Sequence, residues 1–472
     1  MFDLKEKQAL VIGLDGRGES AARLLLRQGA RVTVVEPGSD SEVQARAQEL
    51  ARQGVVVKLG CSALPDGGFD FSILSPAVAM NHSLVQEAKA HGLRVIGELE
   101  LGFQQAKCLA LALAGTNGKA TTAGLIERML TANHRKMHVA GPEKRPVCSV
   151  ADATAELDFL VLQASASQLE ATEFFRPAVG VLLNVVPGGG LDLESPEDYV
   201  RAVARVFRNQ QAFDWAIIQA EALARVRELE LPMPGKVITF SASDGSADLH
   251  LDRGLLVSRL PNWSGPLLDM AHCQLRGPHN AEDLMAALAV GHALRLPLEN
   301  MADPLKTFAP PPHCFEPVAE FNGVQFINDS KATNMDALQK ALLGAHAGPR
   351  GEANIWLIAG GRDEGQDFHA AGPLLAKRVK GVFLVGEASE KIRASWSLFT
   401  PCIVLDSLLE AVAEAARNAV SGDVVLLSPA SSSLERFRNY QERGEMFCQA
   451  VKSIGRGAPS ATPNTNGFLA FV

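Results

Sequence analysis

The run Leu113-Ala-Gly-Thr-Asn-Gly-Lys-Ala-Thr-Thr122 constrains this chain more than any other stretch. Residues 108–114 are apolar and read as a buried strand, and 121–132 carries helical spacing, so two glycines and a lysine join a strand to a helix. A turn of this kind curls backbone N–H groups around an anion at a helix N-terminus, and the lysine adds a point charge. The expected phosphate-binding residues are Gly115, Thr116, Asn117, Gly118, Lys119 and Thr121. In such loops a Ser or Thr that holds Mg²⁺ follows the lysine; here Ala120 stands there.

The 472 residues exceed one core and imply two to three domains, which 47% hydrophobic residues are ample to fill. A net charge of −8 argues against a nucleic-acid surface. The seven cysteines are scattered without metal-ligand spacing, as expected of free thiols in a reducing compartment. The first residues lack a signal-peptide pattern and no run is apolar enough for a transmembrane segment, so a cytoplasmic protein, read as a monomer, is expected.

The chain opens as a βαβ unit, with strands at 8–13 and 31–35 around a helix at 20–28, followed by strands at 71–74 and 93–96. Its turn Gly13-Leu-Asp-Gly-Arg-Gly18 approximates a dinucleotide fingerprint, but Asp15 stands where a glycine would let a pyrophosphate approach. Plain packing of helix on strand explains the glycines equally well, and a nicotinamide-dependent dehydrogenase ranks far below other readings. A second block holds strands at 159–163, 179–184 and 216–219, then a helix ending near 294. After the prolines 310–312, strands at 324–328, 355–359, 381–385 and 424–427 form a third block. The expected fold is α/β with three domains in series: a Rossmann-like domain at 1–105, a P-loop-type ATPase domain at 106–309, a Rossmann-like domain at 310–454, and a flexible tail at 455–472.

Several motifs in this order resemble the Mur ligases. They are Gly115-Thr-Asn-Gly-Lys119, Gly277-Pro-His-Asn280, Asn328-Asp-Ser-Lys-Ala-Thr-Asn334, and Ser428-Pro-Ala-Ser-Ser-Ser-Leu-Glu-Arg-Phe437 with Gln441-Glu-Arg-Gly444. Ser75-Pro-Ala77 and Gly97-Glu-Leu-Glu-Leu101 resemble parts of the first domain, so the likeness runs from about residue 11 to 450. Within the family it points to the branch that joins D-glutamate to a UDP-linked muramoyl precursor in peptidoglycan synthesis. The resemblance implies ATP as cofactor, with Mg²⁺. The substrate carboxylate is phosphorylated, and the amine then attacks the acyl phosphate.

Position by position, the resemblance implies catalytic roles for Lys119 and His279 and nucleotide contacts for Asn280, Asp329 and Asn334. It implies substrate contacts for Lys331, Thr333, Ser433 and Tyr440. The metal positions depart from the family. Gln163 replaces a glutamate, Gly189 a histidine, Val203 a carbamylated lysine and Ala120 the loop hydroxyl. Glu364, Cys314 and Pro142 also replace a family lysine, arginine and asparagine. An active ligase would need substitutes such as Asp192, Glu194 or Thr121. The alternative is a pseudo-ligase that keeps the scaffold for nucleotide or UDP-sugar binding, or for a regulatory or assembly role.

Overall fold

Apolar runs punctuated by glycine turns build three sheets in series, in a computed structural model that describes residues 3–142, 145–186, 195–261, 263–348, 351–363, 365–433 and 436–456. The architecture is α/β. The described residues gather into two compact units, Met1–His272 with Glu282–Thr307, and Cys273–Ala281 with Phe308–Val472. The first unit carries two sheets and the second carries one. The expected tail falls almost wholly outside the described residues, since the last helix, Tyr440–Arg456, closes them.

The first sheet is five parallel strands in the order Val56–Leu59, Arg31–Glu36, Gln8–Ile12, Phe71–Leu74, Val95–Gly97. Four of them read as nearly continuous apolar runs and were visible in the sequence, whereas the edge strand Val56–Leu59 alternates exposed and half-buried residues and was not expected. The first helix, Gly16–Arg27, begins four residues earlier than its apolar spacing suggests, because Asp15 caps it by accepting from Arg17 N and Gly18 N. Asp15 also accepts from the Ser75 hydroxyl. The protein's own carboxylate thus occupies the helix start. Gly18 is explained by packing, since a Cβ there would run into the Gly13 carbonyl.

The second sheet has nine strands. Its order is Gly265–Asp269, Leu255–Ser258, Leu249–Asp252, Lys236–Ser241, Trp215–Gln219, Val179–Leu182, Leu109–Ala114, Phe159–Gln163, Met137–Ala140. All neighbours are parallel except the two antiparallel pairs that add Leu255–Ser258 and Gly265–Asp269 at one edge. Leu109–Ala114 lies well inside the sheet and is buried from Ala110 onward, so the loop that follows it springs from a rigid base.

In the second unit the order is Glu316–Phe321, Val324–Asn328, Val424–Leu427, Ile355–Ala359, Val379–Leu384, Cys402–Val404, with only the first pair antiparallel. Its carboxyl edge gathers the turns at 329–334, 360–363 and 428–433.

One buried charge site links the first two sheets. Glu98 opens the helix Glu98–Gln105 fully buried, accepts from Cys148 N at 2.6 Å, and leaves its other oxygen without a hydrogen-bond partner among the described residues. Burial pushes its pKa up to about 7, although the Cys148 N–H and the nearby Arg17 oppose the shift. The folded chain therefore holds a proton there that the unfolded chain releases near the ordinary value of 4.5, so stability falls as pH rises from about 4.5 to 7. Glu98→Gln is expected to remove a slope worth on the order of 3 kcal/mol across that window. Urea denaturation at stepped pH measures it, and an unchanged slope contradicts the assignment.

Candidate functional site

The phosphate loop is held by backbone contacts that only glycine permits. Gly115 adopts φ +126°, and a Cβ built on it would approach Asn184 O to 2.9 Å and Asn184 N to 3.0 Å. The adjoining strand end thus passes against the loop with no room for a side chain. Asn184 ties the two together, since its Oδ1 accepts from Asn117 N at 2.9 Å and its Nδ2 donates to Asn117 O at 3.0 Å. Thr116 N donates to Asn184 O at 3.2 Å.

Gly118, at φ +88°, is the N-cap of the helix Lys119–Ala132, which has no side-chain cap and no acidic residue in its first turn. A helix start whose own residues bring neither a capping side chain nor an acid favours an anion. Lys119 Nζ donates to the carbonyls of Thr116, at 3.1 Å, and Gly115, which holds the ammonium over the loop. The Thr116 hydroxyl pairs with Tyr199 OH at 3.0 Å and accepts from Val186 N at 3.2 Å. Burial raises the Tyr199 pKa against the Thr116 bond, so the phenol stays protonated and neutral. Thr121 is half-buried in the first turn. Asn184 and Tyr199 were not singled out from the sequence. Their signal is the strand-end asparagine of Leu183-Asn184 and the first aromatic of the following helix.

The altered metal positions have distinct fates. Gln163 ends its strand in register with Leu113, directly beside the loop. Ala120 sits in the first helical turn. Val203 is fully buried in an apolar cluster with Tyr199, Val200 and Phe207, so it packs the core. Gly189, Asp192, Glu194 and Glu364 lie outside the described residues. Among the described residues no three His, Cys, Asp or Glu side chains come together as a metal cage.

In the second unit Asp329, Lys331, Thr333 and Asn334 follow the strand Val324–Asn328, and Ser433 follows Val424–Leu427. Asp329 follows the strand Val324–Asn328 and accepts from Phe315 N and Ser428 Oγ, each at 3.0 Å. Burial pushes its pKa to about 7, opposed by the Ser428 and Phe315 bonds and then by Lys331. Asn334 commits its side-chain oxygen to the cap of the helix Met335–Gly344 through Ala337 N. Thr333 accepts from Gln366 Nε2 through its carbonyl at 3.0 Å. Ser433 is buried beside Gly360, Gly361, Arg436 and Arg443 around a small pocket. Tyr440 sets its ring edge-on to His313.

Arg443 is 4% exposed and donates to Ser330 Oγ, Ser330 O and Ser431 O. Burial lowers its pKa to about 10, which still leaves it charged at neutral pH. It too was missed, because an arginine in a helix usually reads as a solvated face.

His279 is wedged between Gly277 and Gly344, each of which would bring a Cβ to within 3.2 Å of its Cε1, and its Nδ1 has no hydrogen-bond partner among the described residues. Burial depresses its pKa to about 4, with Lys340 adding to the effect, so the imidazole is neutral. Asn280 donates to Arg276 O at 2.7 Å and borders a cavity of about 390 Å³ with Gln274, Phe315, Gln325 and His346.

Two family models match the chain. The Mur ligase middle domain covers residues 113–291, and the Mur ligase, glutamate ligase domain covers 313–431. A relative from Acidobacterium capsulatum, named UDP-N-acetylmuramoylalanine–D-glutamate ligase, is 36% identical over 454 residues, covering 95% of this chain and 97% of its own. The chain belongs to the Mur ligase family. A Koribacter versatilis protein of the same name is 33% identical, covering 96% of this Mur ligase and 99% of itself. Among solved structures, MurF of Thermotoga maritima in complex with ADP matches with a TM-score of 0.60 at 16% identity, over 96% of this chain and 100% of that one. MurC of the same organism matches at 0.59 and 16%, over 95% and 99%. These neighbours share the three-domain fold of this Mur ligase. Among the described residues no helix is long and apolar enough to cross a membrane.

Asn184→Ala removes both side-chain bonds to Asn117 and is expected to cost the loop about 1–3 kcal/mol of local order. Hydrogen exchange at residues 115–118 should accelerate roughly tenfold or more in this Mur ligase, by the same energies. Unchanged protection there contradicts the role given to Asn184.

Proposed function

We propose that this Mur ligase uses ATP to join D-glutamate to UDP-N-acetylmuramoyl-L-alanine, the reaction named by its relatives at 31–36% identity. The observation that carries the reading is the phosphate cradle, with Gly115 and Gly118 in left-handed conformations and Lys119 held over the loop carbonyls. In this reading residues 1–105 receive the UDP-linked precursor, 106–309 the ATP phosphates and 310–454 the D-glutamate, and the chain acts in the cytoplasm.

Loop N–H groups and Lys119 hold the triphosphate, and Thr121 lies close enough in sequence to add a hydroxyl. The γ-phosphoryl group passes to the substrate carboxylate, and ADP leaves. The amine of D-glutamate then attacks the acyl carbon, phosphate departs, and the amine gives up a proton. Positioning supplies much of the rate in such a transfer. In the second unit, Asn280 and its cavity suit a planar base, with the neutral His279 fixing the turn beside it. Asp329 and Asn334 complete the nucleotide contacts. Lys331, Thr333, Ser433 and Tyr440 are assigned to substrate, and Arg443 braces the turns on either side of Ser433 through Ser330 and Ser431.

The described positions that the resemblance assigns to Mg²⁺ are poor in donors. Ala120 and Val203 carry no donor, and Gln163 offers only a neutral amide. No step is therefore routed through a protein-held metal. The same three positions favour a second reading, a pseudo-ligase that binds nucleotide or UDP-sugar without turnover.

The deciding experiment incubates purified protein with ATP, Mg²⁺, UDP-N-acetylmuramoyl-L-alanine and D-glutamate, and follows phosphate and amide product. The ligase reading expects turnover on the order of 1 s⁻¹ or faster, falling at least about a hundredfold in Lys119→Ala. Nucleotide binding without amide formation would support the pseudo-ligase instead.

A further inference from the structure

A carboxylate lies against the phosphate loop from a separate element. Asp283 belongs to the helix Pro278–Ala293, is 6% exposed, and accepts from the buried Thr122 hydroxyl at 2.8 Å through Oδ1. The same oxygen packs against Gly118 so closely that a Cβ there would overlap it, with Leu183 Cδ1 as the next apolar neighbour at 3.4 Å. Thr122 lies one turn beyond Gly118, and its N–H donates to the Gly118 carbonyl, so carboxylate, helix cap and first turn form one locked cluster.

A loop that seats phosphate needs positive potential. The helix start supplies roughly half a charge and Lys119 one more, whereas a fixed carboxylate under the N-cap opposes both. Where little water intervenes, that opposition is strong. We infer that Asp283 sets a limit on the anionic charge the loop accepts. It disfavours a fully ionised triphosphate and admits a phosphate chain whose charge is reduced, either by a cation carried on the nucleotide or by a shorter chain. Asp283 is a selectivity-determining residue in this account; it acts through the potential at Gly118 and does not touch the phosphate. The inference rests on the nucleotide-binding reading above.

Calorimetric titration of the full chain with ATP and with ADP, first in EDTA and then in excess Mg²⁺, tests it. Asp283→Asn keeps the shape and an acceptor for Thr122 while removing the charge. Metal-free ATP is expected to bind about tenfold more tightly to the variant, ADP less so, and the gain should shrink to about twofold or less with Mg²⁺. The unmodified chain alone provides a second measurement, because in EDTA it should bind ATP more weakly than ADP. Equal metal-free affinities for the two nucleotides, or no change in Asp283→Asn, overturn the inference and leave the nucleotide reading standing. Loss of affinity in the variant only when Mg²⁺ is present makes Asp283 a cation ligand and also overturns it. If the unmodified chain binds neither nucleotide in either condition, the nucleotide reading fails and takes this inference with it.

Discussion

The closeness of two backbones at Gly115 and Asn184 is the constraint on which the first unit's chemistry depends. A methyl group at position 115 would force the strand end at 183–184 away, and with it the side-chain bonds that hold Asn117. Parallel strands on both sides of Leu109–Ala114 fix that approach from below. A loop anchored in this way has little conformational freedom left to lose when an anion arrives, which is the physical meaning of preorganisation. The Thr116–Tyr199 contact extends the same rigidity to the helix Pro196–Ala204.

The second unit solves a different problem, keeping charges at a buried sheet edge without pairing them to one another. Asp329 leans on a hydroxyl and a backbone N–H, while Arg443 leans on a hydroxyl and two carbonyls. Such neutral partners leave each charge's field largely uncancelled, where a direct ion pair would quench it. Ser428 and Ser330 supply the hydroxyls, and Ser330 and Ser431 the carbonyls. The cost of burying the two groups is visible in the directions of their pKa shifts, both towards the neutral form.

Much of this was legible from residue order, and the exceptions are physical. Continuous apolar runs such as Ile355–Ala359 and Val424–Leu427 announced the buried parallel strands, and the expected bounds coincide with those observed. Cys402–Val404 and the antiparallel additions at 255–269 escaped notice because edge strands are short and half exposed. The strand expected at 93–96 is Val95–Gly97. Among site residues, the loop was plain because glycine and lysine carry its chemistry in sequence. Asn184, Asp283 and Arg443 were not, since each acts on a segment at least 12 residues away, and sequence spacing does not report that contact. Val203 was recognised as a departure from the family, and its burial shows what took the place of a ligand: ordinary apolar packing.

Asp15 gives the first sheet a consequence of its own. The turns that follow Gln8–Ile12 and Leu109–Ala114 both lead through glycines into a helix start. In the first, a carboxylate already caps the helix and is fastened by Ser75. The start of that helix is thus capped by the protein itself. Asp15 repels a second anion at the Gly16 helix start, so of these two helix starts the one at Gly118 is the one whose own residues leave charge to draw in a free triphosphate.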